Sequence, residues 1–373
     1  MKKVIAVNTR ILVSNKLEGI GNFTAEIFKR LVKWNPDYEF HFIFNYPFDT
    51  DFIFGTNVKT HVIRPPAKHP ILVKIWYDFS LKRVLKKINP DVFVSPDAIT
   101  SLTTDIKMLT VMHDIGFAHR PNDLPSYWAK FYNKYSKKFA EKSTRVATVS
   151  EYSKKDIVNT YHINPAKIDV VFNGVKDRFH PASPRKIKAL TKNQEYFFYI
   201  GSLHPRKNII NLLKGFNQFK NNSNNDVKLI IGGDFLFQST KIKSVLNELE
   251  HKNQIILTGR LSDEELNTWL SGALALTYIP HFEGFGIPLL EAMKCKTAIL
   301  TSYVTSLPEV ATDAAIYINP ESIDDIGNGM SIIYNDEKLR IRLIEKGQKR
   351  LKDFSWDKSA KLLWESIQKT INS

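Results

Sequence analysis

Short runs of β-branched and aromatic residues alternate with amphipathic stretches along nearly the whole chain. In the first half, Val4–Val7, Glu39–Phe44, Val58–Ile63, Asp91–Ser95, Met108–His113, Arg145–Val149 and Ile168–Phe172 have the length and apolar content of buried strands. A second series comprises Tyr196–Gly201, Val227–Gly232, Gln254–Gly259, Ala273–Tyr278 and Thr297–Thr301, spaced by helical stretches such as Leu212–Phe219 and Ser262–Leu270. Strands alternating with helices predict parallel sheets, because a parallel connection has to cross over a face of the sheet. Two Rossmann-like α/β domains are expected, over residues 1–176 and 194–354. Residues 177–193 are polar, contain Pro181 and Pro184 and show no clear period, so they read as a linker. Ser355-Trp356-Asp357 reads as a helix start, and Ala360, Leu362, Leu363, Trp364 and Ile367 after it predict a capped amphipathic helix within 355–373.

At 373 residues and 43% hydrophobic content, the chain can fill two cores and is not disordered. The single Cys295 rules out an internal disulfide framework or a Cys-rich metal site, and a reducing cytoplasm is the expected compartment. The apolar start Val4-Ile5-Ala6-Val7 is cut short by Asn8, Thr9 and Arg10, so it reads as a first strand and not a signal peptide. No apolar run approaches the roughly 18 residues of a membrane-spanning helix, and any membrane contact is expected to be peripheral.

Net charge is +15, with 26 basic and 16 acidic side chains in residues 1–175. The clusters Lys82, Arg83, Lys86, Lys87 and Lys130, Lys134, Lys137, Lys138, Lys142 have helical spacing, the second interleaved with Trp128, Phe131, Tyr132, Tyr135 and Phe139. This pattern fits either an anionic membrane surface or a solvated helix face. Nucleic acid is not the expected partner.

The run Glu283-Gly-Phe-Gly-Ile-Pro-Leu-Leu-Glu291 carries the sharpest chemical signal. Pro288 suits the first turn of a helix, and Gly284 and Gly286 allow a ligand close to the backbone. A helix start offers unsatisfied N–H groups to phosphate, while two flanking carboxylates suit hydroxyls, a combination that fits a nucleotide sugar. Alternatively, two solvated glutamates flank an ordinary turn into a buried helix. Around this run lie Pro280-His281-Phe282, Glu291-Ala292-Met293 and Ser306-Leu307-Pro308-Glu309-Val310. In this order the segments resemble the retaining GT-B glycosyltransferases with the Glu-x7-Glu signature, family 4-like, group 1. The resemblance covers most of the chain and is strongest from Gly201 to Pro320.

That resemblance implies two Rossmann-like domains facing across a cleft, the final helix crossing back to the first. It implies a hexosyl transfer in which Arg206 and Lys207, after the strand ending at Gly201, meet the donor diphosphate together with the amides of Gly284, Phe285, Gly286 and Ile287. Glu283 would orient the sugar, His113 would bond one of its hydroxyls and Asp114 would keep that neighbourhood polar. Arg260 and Leu261 fall in the loop that lines the base pocket, and Glu291 would accept from ribose hydroxyls. Gly19 and Gly21, in Glu18-Gly19-Ile20-Gly21, match a loop that reaches the diphosphate and acceptor. Neither a cofactor nor a metal is implied, and Asp49-Thr50-Asp51 is a coincidental match to a metal motif. The combination Gly-Ile-Gly, Pro-Arg-Lys-Asn and Leu-Pro-Glu-Val looks most like mannosyltransferase-type members, which implies GDP-mannose as donor and a glycan or lipid-linked acceptor in surface polysaccharide assembly.

Departures are Ser202, where relatives often have arginine, Lys296 and Thr312, where glycine is usual, and Ala298, where proline is usual. A catalytically idle nucleotide-binding protein or a nucleotide-sugar epimerase of the same fold remains an alternative. Gly-x-Ser-x-Gly, His-Glu-x-x-His and P-loop motifs are absent.

Overall fold

The computed structural model describes residues 2–13, 17, 19–234 and 239–373. It divides into two compact units, one reaching to Gly174 and taking back Ser355–Ser373, the other Val175–Phe354. Each is built on an all-parallel sheet.

In the first unit the strands are β1 (Val4–Asn8), β2 (Glu39–Phe44), β3 (Val58–Val62), β4 (Val92–Ser95), β5 (Met108–Val111), β6 (Arg145–Thr148) and β7 (Ile168–Val170), in spatial order β3-β2-β1-β4-β5-β6-β7. The second contains β8 (Tyr196–Ile200), β9 (Lys228–Gly232), β10 (Ile255–Gly259), β11 (Ala275–Tyr278), β12 (Ile299–Ser302) and β13 (Ile316–Ile318), ordered β10-β9-β8-β11-β12-β13. All twelve expected strands are present, with ends moved by one or two residues. Strand β13 escaped the sequence reading because Ile-Tyr-Ile is only three residues long and lies between polar turns.

Helices cover both faces, which is why central strands such as Tyr196-Phe-Phe-Tyr-Ile200 are almost continuously apolar and do not alternate. In both sheets the order reverses beside the first strand, at β1/β4 and β8/β11. Connections leave in opposite directions there and open a crevice at the carboxyl ends of the strands, the usual ligand position in open α/β sheets.

The final helix, Trp356–Asn372, is capped by Ser355 and belongs to the first unit. Asp357 pairs with Arg30 on the helix Gly19–Trp34, Trp364 meets Tyr38 edge to face, and Ser366 donates to Asp169 at 2.6 Å. Gly174 allows this return, because a Cβ there would lie 2.3 Å from the Trp356 nitrogen.

Several expectations change. Residues 177–193 contain a helix, Pro184–Thr191, capped by Ser183 and packed on Asp263–Gly272 within the second unit. Its sequence, Pro-Arg-Lys-Ile-Lys-Ala-Leu-Thr, hides the period because only one narrow stripe is apolar. Gly19 and Gly21, matched to a loop by the family resemblance, sit in the first turn of the helix Gly19–Trp34; Glu18 lies outside the described residues. Asp49 caps a short turn by accepting from the Asp51 amide at 3.0 Å, an ordinary structural use of that Asp-x-Asp.

Candidate donor site at the switch point of the second sheet

Strand β8 ends at Ile200, and the chain turns through Gly201, whose φ of +146° no side-chain-bearing residue adopts readily. Gly233 after β9, with φ +130°, touches the same turn, since a Cβ on it would come within 2.0 Å of the Gly201 carbonyl oxygen. The Gly201 amide donates to the Gly232 carbonyl at 3.1 Å and the Gly233 amide to the Gly259 carbonyl at 2.8 Å, joining the ends of β8, β9 and β10 into a shelf of backbone. Gly233 was missed in the sequence because a glycine after a strand carries no sign of the turn it approaches, which lies some thirty positions away at Gly201.

Beyond the shelf, His204 caps the single turn Pro205–Lys207, Asn208 takes a left-handed conformation, and the helix Ile209–Asn221 begins. This turn aims Arg206 and Lys207 at the loop leaving β11. Glu283 lies in that loop, 7% exposed, and its Oε1 accepts from Arg206 Nη1 at 2.6 Å and from Lys207 Nζ. Lys207, 9% exposed, also donates to the Tyr278 hydroxyl. Burial alone would raise the Glu283 carboxyl, but the charges of Arg206 and Lys207 hold it below its ordinary value. Tyr278 is pushed up by burial and then by the neighbouring carboxylate, so it stays a neutral phenol. The trio carries a net +1, and Arg206, with a third of its side chain exposed, is its route to solvent.

The loop after β12 fixes Glu283 from a third side. Its amide donates to Thr305 Oγ1 at 3.2 Å, and Ser306 Oγ donates to its carbonyl at 3.0 Å. Leu307 seals Gly286, where a Cβ would meet its Cδ2 at 2.6 Å. Ser306-Leu307-Pro308-Glu309-Val310 therefore positions the glutamate loop. Thr305 and Tyr278 were invisible as site residues, because a lone threonine and a strand-ending tyrosine have no spacing signature.

Gly286, φ +98°, leads into the helix Ile287–Lys294, which has Pro288 in its first turn and no side-chain cap. One turn on, Glu291 is half-buried, ringed by protein atoms, and makes no hydrogen bond through its carboxylate to the described residues. Burial pushes it up to about 7, with Arg178 and Lys176 pulling partly the other way. Those two cations lie at the start of the second unit, where Lys294 donates to the Lys176 carbonyl at 3.1 Å and Arg178 pairs with Asp263. Leu261 follows β10 and reaches Gly232, 3.0 Å from a Cβ placed there, while Arg260 beside it is exposed. Ser202 contributes its carbonyl to the Tyr199 hydroxyl at 3.2 Å.

The other expected residues belong to the first unit. His113 lies two residues past β5, with Nε2 donating to the Pro96 carbonyl at 3.0 Å and the ring edge-on to Phe23 at 4.8 Å. Burial lowers its pKa, so the neutral ring keeps Nδ1 as an acceptor. Asp114 accepts from the Gly116 amide at 2.9 Å, which fixes the turn. Gly21 is buried, and a Cβ there would crowd Leu17 at 3.1 Å, whereas Gly19 is open. Unanticipated is a buried network at the β1/β4 reversal, where Asp97 accepts from Asn8, Tyr77 and Arg10.

An uncapped helix start, a cation pair held by one carboxylate and a second carboxylate one turn on thus lie together at this switch point. Residues 183–350 match the model of the glycosyl transferases group 1, and residues 17–179 that of glycosyltransferase family 4. The O-antigen chain mannosyltransferase RfbU of Salmonella typhimurium is 30% identical over 76% of this chain and 75% of its own. The chain belongs to the group 1, family 4 glycosyltransferases. This glycosyltransferase is also 27% identical to the O-antigen chain mannosyltransferase B of Escherichia coli, over 67% of each chain. Its fold is that of the Anabaena protein HepE solved with UDP-glucose, with a TM-score of 0.77, 15% identity and coverage of 98% of this chain and 99% of that one. No helix among the described residues of the glycosyltransferase is long and apolar enough to cross a membrane.

Proposed function

We propose that this glycosyltransferase moves a mannosyl group from GDP-mannose, with retention of anomeric configuration, to a glycan or lipid-linked acceptor of a surface polysaccharide, working on the cytoplasmic side. The observation that carries the reading is the Arg206–Glu283–Lys207 trio at the β8/β11 reversal. The mannosyl donor rests on the two O-antigen mannosyltransferases to which the chain is similar.

In this scheme the diphosphate lies against the uncapped start of Ile287–Lys294 and the glycine shelf. Arg206, Lys207 and the backbone amides meet the charge that grows as the C1–O bond to the phosphate breaks. Glu283, locked by two cations and two loop bonds, is an acceptor for sugar hydroxyls and holds the ring in one orientation. The acceptor oxygen bonds to C1 on the face the phosphate leaves, and its proton passes to the departing phosphate oxygen. Glu291 receives the ribose hydroxyls. The charge is neutralised by side chains and amides, so no metal is required.

A thermal-shift screen of nucleotide sugars tests the donor, since a ligand that binds only the native state raises the melting temperature. GDP-mannose is expected to give the largest shift, and proton NMR of the product to show an α-mannoside. A preference for a uridine nucleotide would replace the donor, a β product would remove retention, and binding with neither transfer nor donor hydrolysis would leave a binding protein.

A further inference from the structure

The lysine-rich helix Ser126–Lys142 turns the aromatics interleaved with its lysines inward. Phe131 and Phe139 are buried, and Trp128, Tyr132 and Tyr135 pack against the same core, so the interleaved pattern is a core face backed by solvated lysines. An exposed apolar face lies on a different element. Residues Pro70–Ile75, Trp76–Leu81 and Lys82–Ile88 run on as one helical rod, the middle segment wound as π-helix. Its inner side is anchored, with Trp76 and Tyr77 fully buried, the Trp76 indole donating to the Ile63 carbonyl at 3.1 Å and Asp78 accepting from the Leu102 amide at 2.8 Å. Its outer side carries Ile71, Ile75 and Phe79, four residues apart and 65%, 39% and 69% exposed, followed by exposed Lys82, Arg83, Lys86 and Lys87. Tyr127, half exposed, adjoins this face through a stacked contact with His69 at 5.5 Å.

We propose that this rod is a membrane-docking element that lays Ile71, Ile75 and Phe79 into the interface of an anionic bilayer while Lys82, Arg83, Lys86 and Lys87 engage its phosphate headgroups. Large apolar side chains in a row are costly in water, and their burial at the acyl boundary together with adjacent cations is the recognised chemistry of an interfacial helix. Charge selects the occupant. Lys74, Lys134 and Lys138 all lie within 6 Å of the Tyr135 ring, so the neighbourhood is densely positive. A second copy of a chain with net charge +15 would bring like charge against like, whereas an anionic bilayer neutralises it. This inference rests on the proposed function only in giving the enzyme a reason to work at a membrane, and vesicle binding is measured without any transfer.

The full chain is tested by flotation with phosphatidylcholine vesicles, with and without phosphatidylglycerol. The wild type is expected to float with the anionic vesicles alone and to be released by salt. The variant Ile71→Ser/Ile75→Ser/Phe79→Ser, which keeps the charge, is expected to lose binding on the order of 100-fold. Lys82→Glu/Arg83→Glu/Lys86→Glu is expected to abolish it. Unchanged nucleotide-induced thermal shifts in both variants show that they are folded. The proposal is overturned if wild type binds neither vesicle, if the apolar variant binds as wild type does, if Lys130, Lys134, Lys137 and Lys138 account for all binding, or if the apolar variant converts a dimer to a monomer. Wild type that docks on vesicles but binds no nucleotide overturns the proposed function and leaves this inference standing.

Discussion

Replacing Glu283 by glutamine separates what the carboxylate does for the fold from what it does for the reaction. The side chain keeps its size and one carbonyl oxygen, so a bond from Arg206 or Lys207 survives, but the charge between the two cations is gone. Breaking a buried ion pair costs about 3–5 kcal/mol. Arg206 is one-third exposed, so water and ions screen its share, and the retained amide oxygen recovers part of the rest; about 2 kcal/mol remains. For a unit the size of Val175–Phe354 that lowers the melting temperature by about 4–8 °C. The trio meanwhile rises from a net charge of +1 to +2, so nucleoside diphosphate affinity stays within a few fold or tightens. Turnover falls by about 2–4 kcal/mol, on the order of 30- to 1,000-fold, if the charged carboxylate holds the sugar in the transition state. Calorimetry with GDP, scanning calorimetry and initial-rate assays on the same preparations give the three numbers. Turnover within a few fold of wild type, beside the expected loss of stability, would show that Glu283 is only a counter-ion, and a collapse of GDP affinity would show that it orders the phosphate site.

Lys207→Ala should weaken GDP and GDP-mannose together by about 1–3 kcal/mol, because it removes a buried charged donor, and calorimetry giving unchanged affinities would move the phosphate elsewhere. Glu291, pushed up to about 7, has to lose a proton to accept well from ribose, so GDP affinity should rise with pH up to about 7 and level off above it, with proton release on binding; Glu291→Gln should flatten the profile. The sign for folding is the opposite: the native state holds the proton more tightly than the unfolded chain, so Glu291 withdraws stability as pH climbs from its ordinary carboxylate range to about 7, and the Gln variant should lack that decline. Thr312→Gly should raise stability by about 1 kcal/mol, since a β-branched residue at φ +48°, ψ −117° is strained, and a lowered melting temperature would contradict that strain. A chelator should leave transfer intact, whereas strict dependence on magnesium or manganese would require a metal in the scheme.

How far the chain could be read follows the range of the interactions. Strands were legible because a sheet buried on both faces forces continuous apolar runs, and the switch points then followed from topology. Glu283 and Glu291 were legible because one turn and one helix fix their separation. Arg206 and Lys207 were visible as cations, but the carboxylate that binds both is 77 and 76 positions away and leaves no trace in local spacing. Thr305, Tyr278 and the Asn8–Tyr77–Asp97 network were hidden for the same reason. The departures from the family pattern gain meaning in the structure. Lys296 and Thr312, where relatives usually have glycine, have φ of +59° and +48°, so the fold imposes a left-handed backbone at both and this chain tolerates it without the residue that adopts it freely. Neither side chain touches the Glu283 trio in any described contact. Substitution at these two positions therefore bears on backbone strain and not on the contacts of that trio. The lysine-rich helix teaches the converse: aromatics and lysines at the right spacing satisfied a membrane pattern, yet the core claimed the interleaved aromatics, and only the exposure of Ile71, Ile75 and Phe79 in the fold located an apolar face on the surface.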